Sequence, residues 1–245
     1  MIIAKRIQKI SASPTLAITA IVNKLKREGK DVISFAAGEP DFDTPKHIKL
    51  AAIDAINQGF TKYTATSGII ELKEAICEKF KKDNNLIYKP ENILVSNGAK
   101  QCLYNLIQVL VNPNDEVLIQ IPYWVSYEEM VKLAGGKSVF IKPKKGLKIT
   151  ANQIEQAISV KTKILMLNSP SNPSGIVYDK EELEEIADVC LRHNIIVISD
   201  EIYEKLIYGK KHYSIASLNS KINKLTIVVN GASKSYAMTG WRIGY

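Results

Sequence analysis

Residues 163–200 read KILMLNSPSNPSGIVYDKEELEEIADVCLRHNIIVISD. An apolar run, KILMLN (163–168), opens the stretch, and a second, IIVIS (195–199), closes it. Both are continuous rather than alternating, as strands covered on both faces are. Between them, residues 180–193 place apolar side chains at helical spacing, with charges on the opposite side. Working outward, the same alternation holds from residue 93 to residue 230. Short runs rich in β-branched residues lie at 93–96 (ILVS), 116–121 (EVLIQI), 138–141 (SVFI) and 225–230 (LTIVVN). Helical patterns fill 101–111, 124–134 and 151–158. Strands alternating with helices predict an α/β fold: a mostly parallel sheet with flanking helices.

Further upstream the pattern is helical. Residues 15–28 carry a helical apolar period that ends at Gly29, and 46–57 and 69–82 read as amphipathic helices. VISFAAGEPDFDTP (32–45) is a short apolar run breaking into a loop. There Asp43 or Thr44 is the expected cap of the next helix, with Pro45 in its first turn.

Composition excludes several classes. The chain has 245 residues, enough for one large domain or two small ones, with 46% hydrophobic and 24% charged residues. That is neither a disordered chain nor a disulfide scaffold. No apolar run approaches a membrane span, and the first residues, MIIAKRIQKISASP, lack the apolar core of a secretory signal. Cys77, Cys102 and Cys190 form no metal-ligand spacing, so zinc is not expected and a reducing cytoplasm is. The formal net charge of +8 suggests nucleic acid at first sight. However, only four basic residues are arginine, and the lysines alternate with acids as on solvated helix faces. No nucleic-acid or membrane partner is expected. A glycine fingerprint for dinucleotides is also lacking.

In open parallel sheets, ligands bind at the carboxyl ends of the strands. After ILVS comes Asn97-Gly98-Ala99-Lys100, a small turn feeding a helix start, which is either a plain turn or an anion site. After KILMLN, two prolines and a glycine surround Asn172, either a rigid turn or a pinned ligand-holding amide. After IIVIS, Asp200 is either a helix cap or the counter-ion of a bound cation, since a buried carboxylate needs a partner. After LTIVVN comes GASKSYAMTGWRIGY (231–245). Lys234 lies there between small serines, either snorkelling or chemically employed as a Schiff-base former, and Arg242 offers a fork for a phosphate.

The segment Gly231-Ala232-Ser233-Lys234 with Gly240, Arg242 and Gly244 resembles the lysine signature of class I aminotransferases, fold-type I enzymes that use pyridoxal 5′-phosphate. GEPDFDTP, TKYT, PYWVSY, NSPSNPSG and SDEIY are similar, in order, to the bacterial aspartate aminotransferase branch, so the resemblance spans essentially the whole chain. It implies that Lys234 binds the cofactor covalently and then moves the substrate proton. It implies Asp200 as partner of the ring nitrogen, and Asn172 and Tyr203 on the phenolic oxygen. Trp124 matches the residue that stacks on the ring. Gly98, Ala99, Lys100, Ser233 and Arg242 match the phosphate site, and Tyr63 matches a tyrosine that reaches the neighbouring subunit's phosphate in a homodimer. Gly38, Trp124 and Asn172 match substrate contacts.

The same resemblance implies an amino group moved from an L-amino acid, aspartate first, to a 2-oxo acid, 2-oxoglutarate first, by a ping-pong route. Aromatic, alanine or prephenate specificity is the alternative, as is an inactive fragment. Family members continue past the signature, so the chain reads as C-terminally truncated. Residues 1–45 are expected to be an arm contributing to a small domain, and 46–245 an incomplete large cofactor-binding domain. RIGY is expected to open a strand inside the sheet.

Overall fold

Five parallel strands set the frame of the protein. The computed structural model describes residues 3–35 and 38–245. After a short 3₁₀ turn at Lys5–Lys9 come three helices: α1 (Pro14–Arg27), α2 (Lys46–Asn57) and α3 (Ile70–Asn84). Then β1 (Ser96–Asn97) precedes α4 (Ala99–Leu110), β2 (Glu116–Gln120), α5 (Ser126–Ala134) and β3 (Lys137–Ile141). The second half holds α6 (Ala151–Ala157), β4 (Thr162–Asn168), α7 (Lys180–Arg192) and β5 (Ile196–Asp200). It ends with α8 (Ser220–Leu225), β6 (Thr226–Val229) and β7 (Ile243–Gly244). The sheet order is β3-β2-β4-β5-β6, parallel throughout.

Successive strand residues point to opposite faces, and each face has its own cover. Val117, Ile119, Ile164, Met166 and Ile198 pack under α4 and α5, against Leu103, Ile107, Met130 and Val131. Leu118, Leu165, Leu167 and Val197 pack under α6 and α7, against Ile154, Leu183, Ile186 and Cys190. This double cover is why the strands read as continuous apolar runs. Cys102 and Cys190 are buried inside helices, and all three cysteines are free thiols.

β7 lies beside the exit of β6. Asn230 and Tyr245 exchange both backbone hydrogen bonds at 2.9 Å, and Ala232 N–H donates to the Ile243 carbonyl. On its other side β7 pairs antiparallel with β1. A Cβ at Gly244 would run into the backbone of Gly98 and Ala99, so only glycine lets β7 lie this close to the start of α4.

Three local expectations are corrected. The run 93–96 forms strand only from Ser96, because Ile93 and Val95 turn into a third apolar cluster around Phe80 and Leu86. Neither Asp43 nor Thr44 caps α2. Pro45 takes that position without a side-chain bond, while the Thr44 hydroxyl donates to the Ala237 carbonyl at 2.6 Å. Asp200 caps no helix, since turns follow β5. The apolar run from residue 32 shows no strand over residues 32–35, and 36–37 lie outside the described residues. Helix α8 had no counterpart in the sequence reading. No helix among the described residues is long and apolar enough to cross a membrane.

Candidate active site

The carboxyl ends of β4, β5 and β6 deliver Asn168, Asp200 and Asn230 to one rim of the sheet. Asp200 is only 3% exposed. Its carboxylate accepts the Tyr127 hydroxyl at 2.6 Å and the Ile202 N–H at 3.3 Å. No ion pair reaches it among the described residues. Burial pushes its carboxyl up to about 6; the Tyr127 and Ile202 hydrogen bonds hold it down in part, and the Glu201 charge adds to the rise.

The loop after β4 is pinned by Asn168. The Asn168 side chain donates to the Asp200 carbonyl at 2.9 Å and accepts the Asn172 N–H at 2.7 Å. The Asn172 amide in turn donates to the Tyr203 hydroxyl at 3.4 Å. Burial raises the Tyr203 phenol, and the Asp200 charge adds to that.

Lys234 closes this series. Its ammonium lies 5.6 Å from the Tyr203 ring centroid and donates to the Gly38 carbonyl. Partial burial lowers its pKa, Glu39 opposes that, and Arg242 reinforces it. A lysine so placed is more readily the neutral nucleophile.

An anion-ready corner adjoins these residues. Gly98, at φ 84°, opens α4, and its carbonyl takes the Gln101 and Cys102 N–H groups. The N–H groups of Ala99 and Lys100 precede the first helical carbonyls and point toward the helix start. The Arg242 guanidinium lies directly over Gly98, where a Cβ would collide with it. It donates to the Thr239 carbonyl at 2.7 Å and to the Asn97 carbonyl at 3.4 Å. Ser233 is buried beside Lys234. Trp124 meets Tyr127 edge-on at 5.5 Å, and the Lys100 ammonium lies 5.1 Å over the Trp124 ring.

Contacts therefore run unbroken from Lys234 through Tyr203, Asn172, Asn168, Asp200, Tyr127 and Trp124 to Lys100. Of the residues singled out from sequence, Tyr63 alone stands apart, fully exposed on the loop between α2 and α3. Tyr127 and Asn168 were not singled out. The position of Tyr127 inside PYWVSY was the one available signal for it.

Behind β5 lies a second polar cluster. Glu201, Glu204 and His212 bring three ligand-type atoms within 4.8 Å of one another. A cation already serves there: the Lys79 ammonium pairs with Glu204 and donates to the Asn84 side chain at 2.6 Å.

The family profile described as aminotransferase class I and II matches residues 30–245. The chain belongs to the class I and II aminotransferases. The chain is 56% identical to an aspartate aminotransferase of Bacillus sp. (strain YM-2), over all of this chain and 63% of that protein. It is 49% identical to an aspartate/prephenate aminotransferase of Nitrosomonas europaea, again over all of this chain and 63% of that protein. Its fold matches the aspartate aminotransferase of Thermus thermophilus with maleate at a TM-score of 0.96 and 46% identity, covering 100% of this chain and 64% of that one. The chain thus spans a little under two thirds of the length of these relatives.

Proposed function

We propose that the chain forms the cofactor-bearing part of a cytoplasmic aspartate aminotransferase that moves the amino group of L-aspartate to 2-oxoglutarate with pyridoxal 5′-phosphate. Unmet charges at one sheet rim carry the reading. Asp200 is buried without a cation, while Arg242 and the start of α4 offer positive charge with no ion pair to Arg242 among the described residues. A ligand with a cationic ring nitrogen at one end and a phosphate at the other answers both. The donor set fits that cofactor.

Bound pyridoxal phosphate supplies an aldehyde that condenses with amines and a ring that takes up the electron pair left when Cα loses its proton. The Lys234 amine removes that proton and returns it at the neighbouring carbon. The Asp200 carboxylate holds the proton on the ring nitrogen. Asn172 and Tyr203 hydrogen-bond the phenolic oxygen, and the Trp124 ring covers the flat face. The Ala99 and Lys100 amides, Ser233 and Arg242 bind the phosphate. Gly38, Trp124 and Asn172 border the substrate. The oxo acid formed from aspartate must leave before the acceptor oxo acid enters, the amino group staying behind in between, so the kinetics are ping-pong.

Residues 1–45 belong with the remaining third of the relatives' length, and 46–245 with the large domain. The exposed apolar side chains of the arm, such as Leu16, Ile18 and Ile21, support that division. Tyr63 reaches the phosphate of a second copy, which its full exposure supports. Prephenate is a second amino acceptor to test, because relatives named for it are 46–50% identical to this chain.

The test is a visible absorption titration of the full chain with pyridoxal phosphate, before and after L-aspartate. A pH-sensitive band that bleaches with aspartate is expected, and Lys234→Ala abolishes both band and turnover. A Lys234→Ala protein that still transaminates overturns the assignment.

A further inference from the structure

Glu201 presents a physical problem. It is 1% exposed, directly after Asp200, and a buried carboxylate costs several kcal/mol unless it is fully solvated by the protein. An apolar residue would fill the same volume more simply. Instead four donors converge on it. Its Oε1 accepts the Ser199 hydroxyl at 2.9 Å and the Ser214 hydroxyl at 2.7 Å. Its Oε2 accepts from the His212 ring at 2.9 Å and from the Asn84 amide at 3.4 Å.

These donors come from different parts of the chain. Ser199 is on β5, Asn84 ends α3, and His212 and Ser214 lie on the segment before α8. The backbone adds a fifth tie, since the Glu201 N–H donates to the Val229 carbonyl of β6 at 2.9 Å. His212 donates from Nε2, and its Nδ1 is buried with no partner among the described residues. Hydrogen on Nδ1 would leave a buried donor unmet, so the ring presents its hydrogen to Glu201.

Successive strand residues face opposite ways. Asp200 therefore looks toward Tyr127 and the cofactor side, while Glu201 looks back into the α3 side. The two carboxylates share one strand end and are held from opposite faces.

We propose that Glu201 is a positioning residue for the cofactor site: its clamp fixes the end of β5 so that Asp200 and Tyr203 stand in place, and its buried charge acts on the Asp200 carboxyl. The proposal rests on the reading of Asp200 as the ring-nitrogen partner. The proton affinity of Asp200 is raised in part by Glu201, in keeping with it.

Other ionisable groups surround the pair. Tyr127 from α5, Tyr203 and Cys102 from α4 act with Asp200. Tyr88 and Tyr245 feel Glu201, beside the Lys79–Glu204 ion pair of α3 and the His212 ring. Glu201→Gln removes one charge and keeps the shape; it also relieves Tyr88 and Tyr245, whose phenols are raised above 10 and so titrate outside the range in which Asp200 does.

The experiment follows the Asp200 side-chain carboxyl by ¹³C NMR across pH in the full, cofactor-free chain, and pyridoxal phosphate binding by fluorescence. In Glu201→Gln the Asp200 midpoint falls from about 6 toward the ordinary carboxylate value. Cofactor binding weakens by about tenfold as the strand end loosens. A purely structural role would leave the Asp200 midpoint where it is, and that result overturns the proposal. Should the variant fail to fold, Ser214→Ala decides: it removes one of the four donors on Glu201, so cofactor binding should weaken, and binding equal to the parent's overturns the proposal. If the unchanged protein fails to bind pyridoxal phosphate, the proposed function falls, while the Asp200 titration still judges Glu201.

Discussion

Replacing Asp200 by asparagine separates what the carboxylate gives the site from what it costs the fold. The Asp200 carboxyl sits at about 6 against an ordinary 3.8. At about 1.36 kcal/mol per pH unit, the charged form destabilises the cofactor-free protein by about 3 kcal/mol at neutral pH. The folded protein holds this proton more tightly than the unfolded chain does. Its contribution is therefore fully present below pH 3.8 and is lost as pH rises through about 6. Asparagine has no charge to strand. Its carbonyl accepts the Ile202 N–H, and its amide donates to the Tyr127 hydroxyl oxygen, so both present contacts keep a partner.

The cofactor-free Asp200→Asn chain should accordingly unfold at higher urea than the parent at pH 8, by an amount equivalent to up to about 3 kcal/mol. The gap should close toward pH 4. Loaded with pyridoxal phosphate, the same variant should lose turnover by orders of magnitude, because the ring nitrogen has lost its anion. Urea titrations at pH 4, 6 and 8 measure the first effect. Equal midpoints at pH 8, or a gap that widens toward acid, would refute the reasoning.

Two further changes test the supports. Tyr127→Phe removes the hydroxyl that donates to Asp200 at 2.6 Å, so the Asp200 midpoint should rise above about 6, by about one pH unit; an unmoved carboxyl titration would show that the bond carries no weight. Gly244→Ala forces a methyl into the Gly98–Ala99 backbone, and should destabilise the fold by about 1–3 kcal/mol and weaken phosphate binding; a thermal melt and a phosphate titration indistinguishable from the parent would count against that close approach.

The strand ends were legible because a parallel sheet covered on both sides leaves a plain trace: continuous apolar runs, each followed by a polar residue. Asp200, Asn172 and Lys234 were visible in this way before any contact was known. Tyr127 was not, since an aromatic on an amphipathic helix looks the same whether it packs or donates a hydrogen bond. Asn168 reads as the last residue of a strand, and its role depends on two backbone groups that only the folded chain brings near. Glu201 was hidden for a similar reason, its four donors being scattered between Asn84 and Ser214. The run ILVS shows the opposite failure. Ile93 is buried and Val95 half-buried in the cluster at α3 while Leu94 is exposed, so the run marks a packed segment that pairs with no strand before Ser96.

The short pairing of β7 with β1 also sets an order of events during synthesis. Ser96 meets Gly244, and Asn97 meets Ile243, across most of the chain's length. Contacts between such distant residues form late, because the intervening loop must be closed first. A nascent chain that has emerged as far as Val229 already has the strands and helices of its layered core. It has neither Arg242 over Gly98 nor the Tyr245 ring against Phe80, which seats the end of the sheet on α3. The anion corner is therefore assembled on a frame that already exists, once β7 has met β1.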